Sequence, residues 1–333
     1  MMTVTLDGVC HLGFRIVGAC HETRRLVDAS AAFLAYCACD DRAEVFQEAY
    51  LSAFRYGDEI CQRADEWNRL EVKSFDGVCW SPWLWFDIDN ENDLEAARRD
   101  AARLCYTIVE RYTLDDDDLL IFFSGKKGFG IGIPTSLWTP PPSVDFHHIC
   151  KKHATGLAEQ AQVAIDPIIY SKIQPHRAPN SRHPKTGLHK RRLSLDELVG
   201  LSVERIRQFA QEPLPFEISI PTRTCEQAAS DWQAAQQAVQ RRSEALATRR
   251  AAGVATRLNR QTLDIIRNVE LIQSGDRHRL LFSAAANLAE FGCPEVLALA
   301  LLTEPGLDSG LPPSDVRRQI ECGLQHKSSK GSK

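Results

Sequence analysis

The sequence predicts an α+β domain with a mixed or antiparallel sheet, followed by a small all-α domain. Short apolar runs at 83–88, 119–123 and 128–134 have the length of strands and are set off by polar turns. Between the first two, residues 94–112 carry apolar side chains at every third or fourth position, the pattern of a helix with one buried face. Beyond residue 259 the spacing is helical and no strand-like run occurs.

The elements follow in order. Residues 1–212 read as one domain, with 1–70 mainly helical from the spacing of Leu26, Phe33, Leu34, Tyr50, Leu51 and Phe54. "WLWFDID" is a strand. Asp93 caps the next helix, whose Leu94, Ala97, Ala101, Leu104, Ile108 and Tyr112 share a face. "LDDDD" turns the chain into the strand "LLIFF", and "GFGIGIP" returns after "SGKK". "SVDFHHICKKHATGLAEQAQV" is helical. "VAIDPIIY" reads as another buried strand, carrying Asp166. Ser194 and Glu197 form a capping box for a short helix. Residues 213–257 read as a linker, first extended and then helical. Residues 258–326 form the small helical domain, with Gly292 and Pro294 closing one helix, and 327–333 a flexible tail.

The chain has 333 residues, 44% apolar and 25% charged, a composition ordinary for a soluble globular protein. No apolar run is long enough for a membrane span, and no basic segment followed by an apolar core opens the chain. A cytoplasmic protein that engages no membrane is expected. The eleven cysteines include no C-x-x-C pair, so they read as reduced and mostly buried. The tightest ligand-like group is His147, His148, Cys150 and His153. It lies in a helix without a second ligand pair, and zinc is not expected there. The net charge of −4 argues against wholesale coating of nucleic acid. Yet from Lys172 to Arg192 there are seven Lys or Arg, three His and no acid, a segment suited to phosphates.

The chemistry gathers at the strand ends. Asp87 and Asp89 are two apart, so they share one face of a strand, with Cα atoms roughly 6–7 Å apart. Like charges held so close need solvent, a shared proton or a bridging cation. An isolated D-x-D is commonly just a strand running into a polar turn. Asp166 supplies a third carboxylate, and three oxygens of this kind suit a hard cation such as Mg²⁺ or Mn²⁺. Ser124, Gly125, Lys126, Lys127 and Gly128 offer a hydroxyl, a glycine turn and two ammoniums, the parts of a phosphate cradle. The Walker spacing is absent. In "RAPNSRHPKTGLHKRR", Arg177, Asn180, Ser181, Arg182, His183 and Lys185 are the phosphate-contacting candidates, their guanidinium forks aimed by Asn-Ser and Lys-Thr-Gly turns.

This order of D-x-D, S-G-x-x-G, a lone Asp in an apolar run and a basic motif resembles the archaeo-eukaryotic primase superfamily of phages and mobile elements. The C-terminal pattern "GDRHRLLFSAAANLAEFG…PPSDVRRQIECGL" resembles the helical domain that often follows such modules. The resemblance covers residues 80–210 and 259–326 and implies an RRM-like catalytic fold. It also implies a DNA primase or primase-polymerase, a metal-dependent nucleotidyltransferase that makes primers for DNA replication. Asp87, Asp89 and Asp166 would hold two Mg²⁺ or Mn²⁺ ions, and Ser124 with Lys126 or Lys127 the incoming NTP or dNTP. The implied partners are a single-stranded DNA template and a separate replicative helicase. One position departs: Gly130 stands where the family carries a histidine, and His183 or His189 is chemically able to replace it. Two other readings remain open at this stage. One is a primase-fold, DNA-binding replication initiator with weak or lost catalysis. The other is a haloacid-dehalogenase-like phosphatase, against which stands Glu91 where Thr or Val is expected.

Overall fold

The computed structural model describes residues 10–251, 258–267 and 276–325. Expectations that fall on 252–257 of the linker, 268–275 of the first C-terminal helix and the tail 327–333 lie outside the described residues. The chain divides into two compact units, Met1–Arg241 and Arg242–Lys333.

The first unit is α+β, and its strand pairings are all antiparallel among the described residues. Residues 10–70, expected to be mainly helical, are largely extended: β1 (Leu12–Val17), β2 (Arg25–Asp28), β3 (Ala49–Ser52) and β4 (Arg55–Tyr56), with α1 (Ala29–Cys37) the one α-helix among them. The helix-spaced residues belong to different elements. Burial alternates instead: Ala49 and Leu51 of β3 are covered, while Tyr50 and Ser52 are partly open. β5 (Cys79–Trp80) and β9 (Pro175–Arg177) complete a six-stranded sheet of order β5-β4-β1-β3-β9, with β2 also on β1.

A second sheet contains β6 (Trp83–Asp89), β7 (Leu120–Phe123), β8 (Gly128–Pro134) and β10 (Arg191–Leu193), in the order β10-β7-β8-β6. Its strands are apolar because helices cover one face. α2 (Leu94–Tyr112) buries Ala97, Ala101, Leu104, Ile108 and Tyr112, and Asp93 caps it by accepting the Ala96 N–H at 2.8 Å. α3 (Phe146–Gln160) and the short α4 (Leu195–Gly200) and α5 (Val203–Phe209) complete the cover, and the Ser194–Glu197 capping box starts α4.

β6 lies at the edge of its sheet, and its free carbonyls are answered by a 3₁₀ turn, Pro167–Tyr170. The Asp166 N–H donates to the Asp87 carbonyl at 2.9 Å, and the Tyr170 hydroxyl to the Trp85 carbonyl at 2.6 Å. Asp166 is therefore not in a strand, as its apolar neighbours suggest. Pro167 opens the turn, and Asp166 caps it by accepting the Ile168 N–H at 2.8 Å.

The segment read as a linker packs on the first unit over its first half. The Phe216 N–H donates to the Cys37 carbonyl at 3.0 Å, and the Phe216 ring meets Phe122 edge-on at 5.7 Å. Arg223 pairs with Asp115 and Asp118. α6 (Glu226–Ala251) then places Asp231 in a two-toothed bridge to Arg111, at 2.6 and 2.7 Å. Trp232 is 4% exposed, packed among Trp138, Phe146 and His153. Among the described residues of the second unit the elements are helices: α7 (Arg260–Ile266), α8 (Arg277–Glu290), α9 (Glu295–Asp308) and α10 (Pro313–Gln325). They enclose a core of Ile265, Leu281, Ala285, Leu302 and Ile320.

If α6 begins as part of the first unit, Trp232→Ala lowers that unit's unfolding free energy by about 3–5 kcal/mol, the usual cost of emptying a buried aromatic site. Urea denaturation followed by far-UV circular dichroism reads this, and a loss below about 1 kcal/mol contradicts the packing role.

Candidate active site

The two sheets meet at a cavity of about 370 Å³. Two separate elements deliver three carboxylates to it: Asp87 and Asp89 from β6, and Asp166 from the 3₁₀ turn. Asp87 pairs in register with Gly130, and Asp89 with Gly128. Gly128 is required there, since a Cβ would lie 2.2 Å from Asp89 Oδ1 and from the Ile88 carbonyl oxygen. Ser124, Lys126 and Lys127 of the β7–β8 turn line the same cavity, as do Arg177, His183 and Lys185 of the basic segment.

The three acids are in different electrical situations. Asp87 sits deepest. Loss of hydration, then Asp89 and Asp166, push its carboxyl up to about 7. Asp89 is answered by the Lys127 ammonium at 3.0 Å, which also reaches Glu91 at 3.2 Å. Asp166 holds its own turn through Oδ1. As they stand, no three His, Cys, Asp or Glu side chains among the described residues are drawn together closely enough to hold a metal ion. The donor set itself fits a hard divalent cation: three carboxylates on one cavity, the most buried of them lacking a full countercharge.

At the other end the charge is positive. His183 is pulled down to about 4 by burial and by Arg177, Lys126 and Lys185. Its Nδ1 accepts the Lys185 N–H at 3.1 Å, so the neutral ring carries its proton on Nε2. Thr186 ties this loop to the glycine turn, its hydroxyl donating to the Gly125 carbonyl at 2.7 Å. Gly125 has φ +87°, which a side chain would strain. Gly128 and Ser124 close the turn on themselves: the Gly128 N–H donates to Ser124 Oγ at 3.2 Å and the Ser124 N–H to the Gly128 carbonyl at 2.9 Å.

Five residues expected to contact phosphate do not line this cavity, Gly125 and Gly128 of the turn and three of the basic segment. Asn180 is fully buried; its amide donates to the Tyr36 and Leu214 carbonyls at 3.0 and 3.1 Å. The Ser181 hydroxyl donates to the Ala178 carbonyl at 2.7 Å, and Arg182 Nε to that of Gly187 at 3.1 Å. These side chains shape the loop. His189 is turned inward on the Asn180 carbonyl oxygen at 2.6 Å, whereas His183 reaches the cavity. His147, Cys150 and His153 serve packing and local contacts in the same way, His153 meeting the Tyr112 hydroxyl at 2.8 Å.

Four titratable lining residues escaped the sequence reading: Glu48, Tyr50, His176 and Lys190. Lys190 is 3% exposed, its ammonium 4.9 Å from the centre of the Phe122 ring and 5.6 Å from that of Trp85. It contacts His176 Nε2 and donates to the Arg177 carbonyl, both at 2.8 Å. Desolvation lowers it to about 7, and Asp87 opposes that fall. The His176 ring stacks on Trp85 at 5.0 Å. Gly130 leaves room beside them; a Cβ there would find only the Phe86 carbonyl oxygen, at 3.8 Å.

Between pH 4 and 7 the folded state holds a proton on Asp87 that the unfolded chain has released, so stability falls as pH rises through that window. Between pH 7 and about 10 the unfolded chain still holds the Lys190 proton that the folded state has lost, so stability rises again. The joint contribution of these two groups to the stability of the metal-free protein is thus lowest near neutrality. Asp87→Asn removes the acid-side fall and should gain about 2 kcal/mol more at pH 8 than at pH 4.5, by urea titration at the two values. An equal effect at both contradicts this electrostatic assignment.

The chain matches no protein-family profile and no curated protein. Among solved structures, the crystal structure of primase RepB' aligns over 97% of this chain and 95% of that one, at 13% identity and a TM-score of 0.36. At that TM-score the likeness carries no argument about fold or activity, and the functional reading rests on the cavity itself.

Proposed function

We propose that this chain is a template-directed nucleotidyltransferase, a primase or primase-polymerase acting in the replication of a phage or mobile element. One observation carries the reading: a single cavity has an acidic end, Asp87, Asp89 and Asp166, and a basic end, Lys126, Arg177 and Lys185 around His183. A nucleoside triphosphate with its cations has that division of charge. The three carboxylates would hold Mg²⁺ or Mn²⁺, which supplies activation of the attacking 3′-hydroxyl and neutralisation of the leaving pyrophosphate. The rest falls to the chain's own groups. Lys126, Lys185 and Arg177 bind the triphosphate oxygens, Arg177 as a planar fork. His183 offers its Nε2–H as a neutral donor, and the Ser124 hydroxyl a further one. The incoming NTP or dNTP pairs with a single-stranded DNA template, and a separate helicase opens the duplex.

The Lys127–Asp89 pair favours a second reading, a DNA-binding initiator in which catalysis is weak, because it occupies one of the metal-ligating acids. Labelled-nucleotide incorporation on single-stranded DNA, with Mg²⁺ or Mn²⁺, separates the two. Template binding without incorporation supports the initiator. Hydrolysis of a phosphomonoester in a parallel assay, without incorporation, would point to the phosphatase.

If the acids hold metal, Asp87→Ala, Asp89→Ala and Asp166→Ala each lower kcat by on the order of 10³. Near-wild-type incorporation by any of them removes that residue from the site. The two lysines should behave differently. Lys126→Ala raises the nucleotide KM about tenfold. Lys127→Ala instead lowers the divalent-ion concentration giving half-maximal rate, because Asp89 is released. The same modest change in both places them together on a solvated turn.

A further inference from the structure

Across from the carboxylate cluster, β3 and β9 form one wall of the cavity. Tyr50 and Arg177 face each other in register, and the guanidinium lies 5.5 Å from the centre of the Tyr50 ring. The Tyr50 hydroxyl donates to Glu48 Oε1 at 2.5 Å. All three residues line the cavity. Glu48 has no cation within ion-pair distance among the described residues, although the same cavity holds five Lys and Arg side chains.

A bare carboxylate is out of place in a cavity whose basic end attracts phosphate. It repels the triphosphate and can face only a neutral or positive part of the occupant. Its partner sharpens this. Tyr50 has spent its single proton on Glu48, so the pair presents lone pairs and no donor. It can accept hydrogen bonds but cannot give one. A nucleotide carries few neutral donors: its sugar hydroxyls, and the exocyclic amines and ring N–H groups of the bases, the latter taken up by pairing with the template. Glu48 lies one strand step from Tyr50, about 6–7 Å along the chain. A phosphate on Arg177 therefore leaves the acceptor pair at the reach of the attached sugar.

Building on the nucleotidyltransferase reading, we propose that Glu48, oriented by Tyr50, accepts a hydrogen bond from the 2′-hydroxyl of the incoming nucleotide and selects ribonucleotides over deoxyribonucleotides. Glu48 is a specificity-determining residue and Tyr50 a positioning residue. The 2′-hydroxyl is the group by which a protein distinguishes the two sugars. An acceptor left unpaired by the deoxy sugar is the source of the discrimination. Glu48 is partly exposed, so water softens that loss and the preference is modest, about tenfold.

The test is equilibrium binding to the full-length protein without template, so that no turnover intervenes. Isothermal titration with Mg²⁺ compares ATP, 2′-deoxyATP and 3′-deoxyATP, and GTP against 2′-deoxyGTP. Wild type should bind each ribonucleotide about tenfold more tightly than its 2′-deoxy form, whichever the base. Glu48→Ala should bring that ratio close to one, and Tyr50→Phe should lower it severalfold. The ratio is internal to each variant, so a general loss of folding does not imitate the effect. Equal affinities in wild type, a preference for the deoxy form, a loss that follows the 3′-hydroxyl or the base, or a ratio unmoved by Glu48→Ala overturns the inference while leaving the nucleotide site standing. Wild type that binds none of these nucleotides overturns the nucleotidyltransferase reading and this inference with it.

Discussion

A carboxylate cannot be desolvated beside two others unless something answers its charge. In this chain that carboxylate is Asp87, and the surrounding architecture follows from holding it there. The edge of β6 is closed by the 3₁₀ turn, which brings Asp166 alongside through the backbone bond to the Asp87 carbonyl. Asp89 is kept two residues away on the same face and answered by Lys127. Lys190, sealed beneath Trp85 and Phe122, is the buried cation that moderates Asp87 from the other side. The repulsion between the paired strand acids raises the Asp87 carboxyl, while Asp89 has the Lys127 ammonium as a countercharge.

The same constraint orders the rest of the cavity. The four-stranded sheet supplies the acidic end and the turn lysines, while the six-stranded sheet supplies Arg177, Tyr50 and Glu48. The basic loop is fixed between them by Thr186 on the Gly125 carbonyl and by Asn180 on the backbone of Tyr36 and Leu214. Asn180 and Ser181 set that loop and do not line the cavity. A cation that entered between the three carboxylates would complete the charge pattern and draw Asp89 away from Lys127.

Much of this was legible where one local signal dominates. α2 announces itself through Asp93 and a 3.6-residue period, and β7 and β8 through unbroken apolar runs around a glycine turn. The N-terminal part was misread because apolar residues in β2, α1 and β3 fall by chance at helical intervals, while the informative alternation spans only four residues in β3. Asp166 looked like a strand residue because its neighbours are apolar, yet Pro167 immediately after it is the mark of a helical start. Glu48, Tyr50, His176 and Lys190 reach the site only through the pairing of β3 with β9 and the packing of one sheet against the other. Non-local register of that kind leaves little trace in a single sequence. Lys190 had a faint one, a cation set between the apolar ends of "LHKRRL".

The proposed chemistry requires Asp87, Asp89 and Asp166 to act together on a divalent cation. Its most direct test is anomalous diffraction from crystals grown with Mn²⁺ and a non-hydrolysable nucleoside triphosphate. The expected result is an anomalous peak with oxygens of all three carboxylates about 2.0–2.3 Å away, and the Lys127–Asp89 contact opened. A peak elsewhere, or full Mn²⁺ occupancy with Asp87 left uncoordinated, would contradict it.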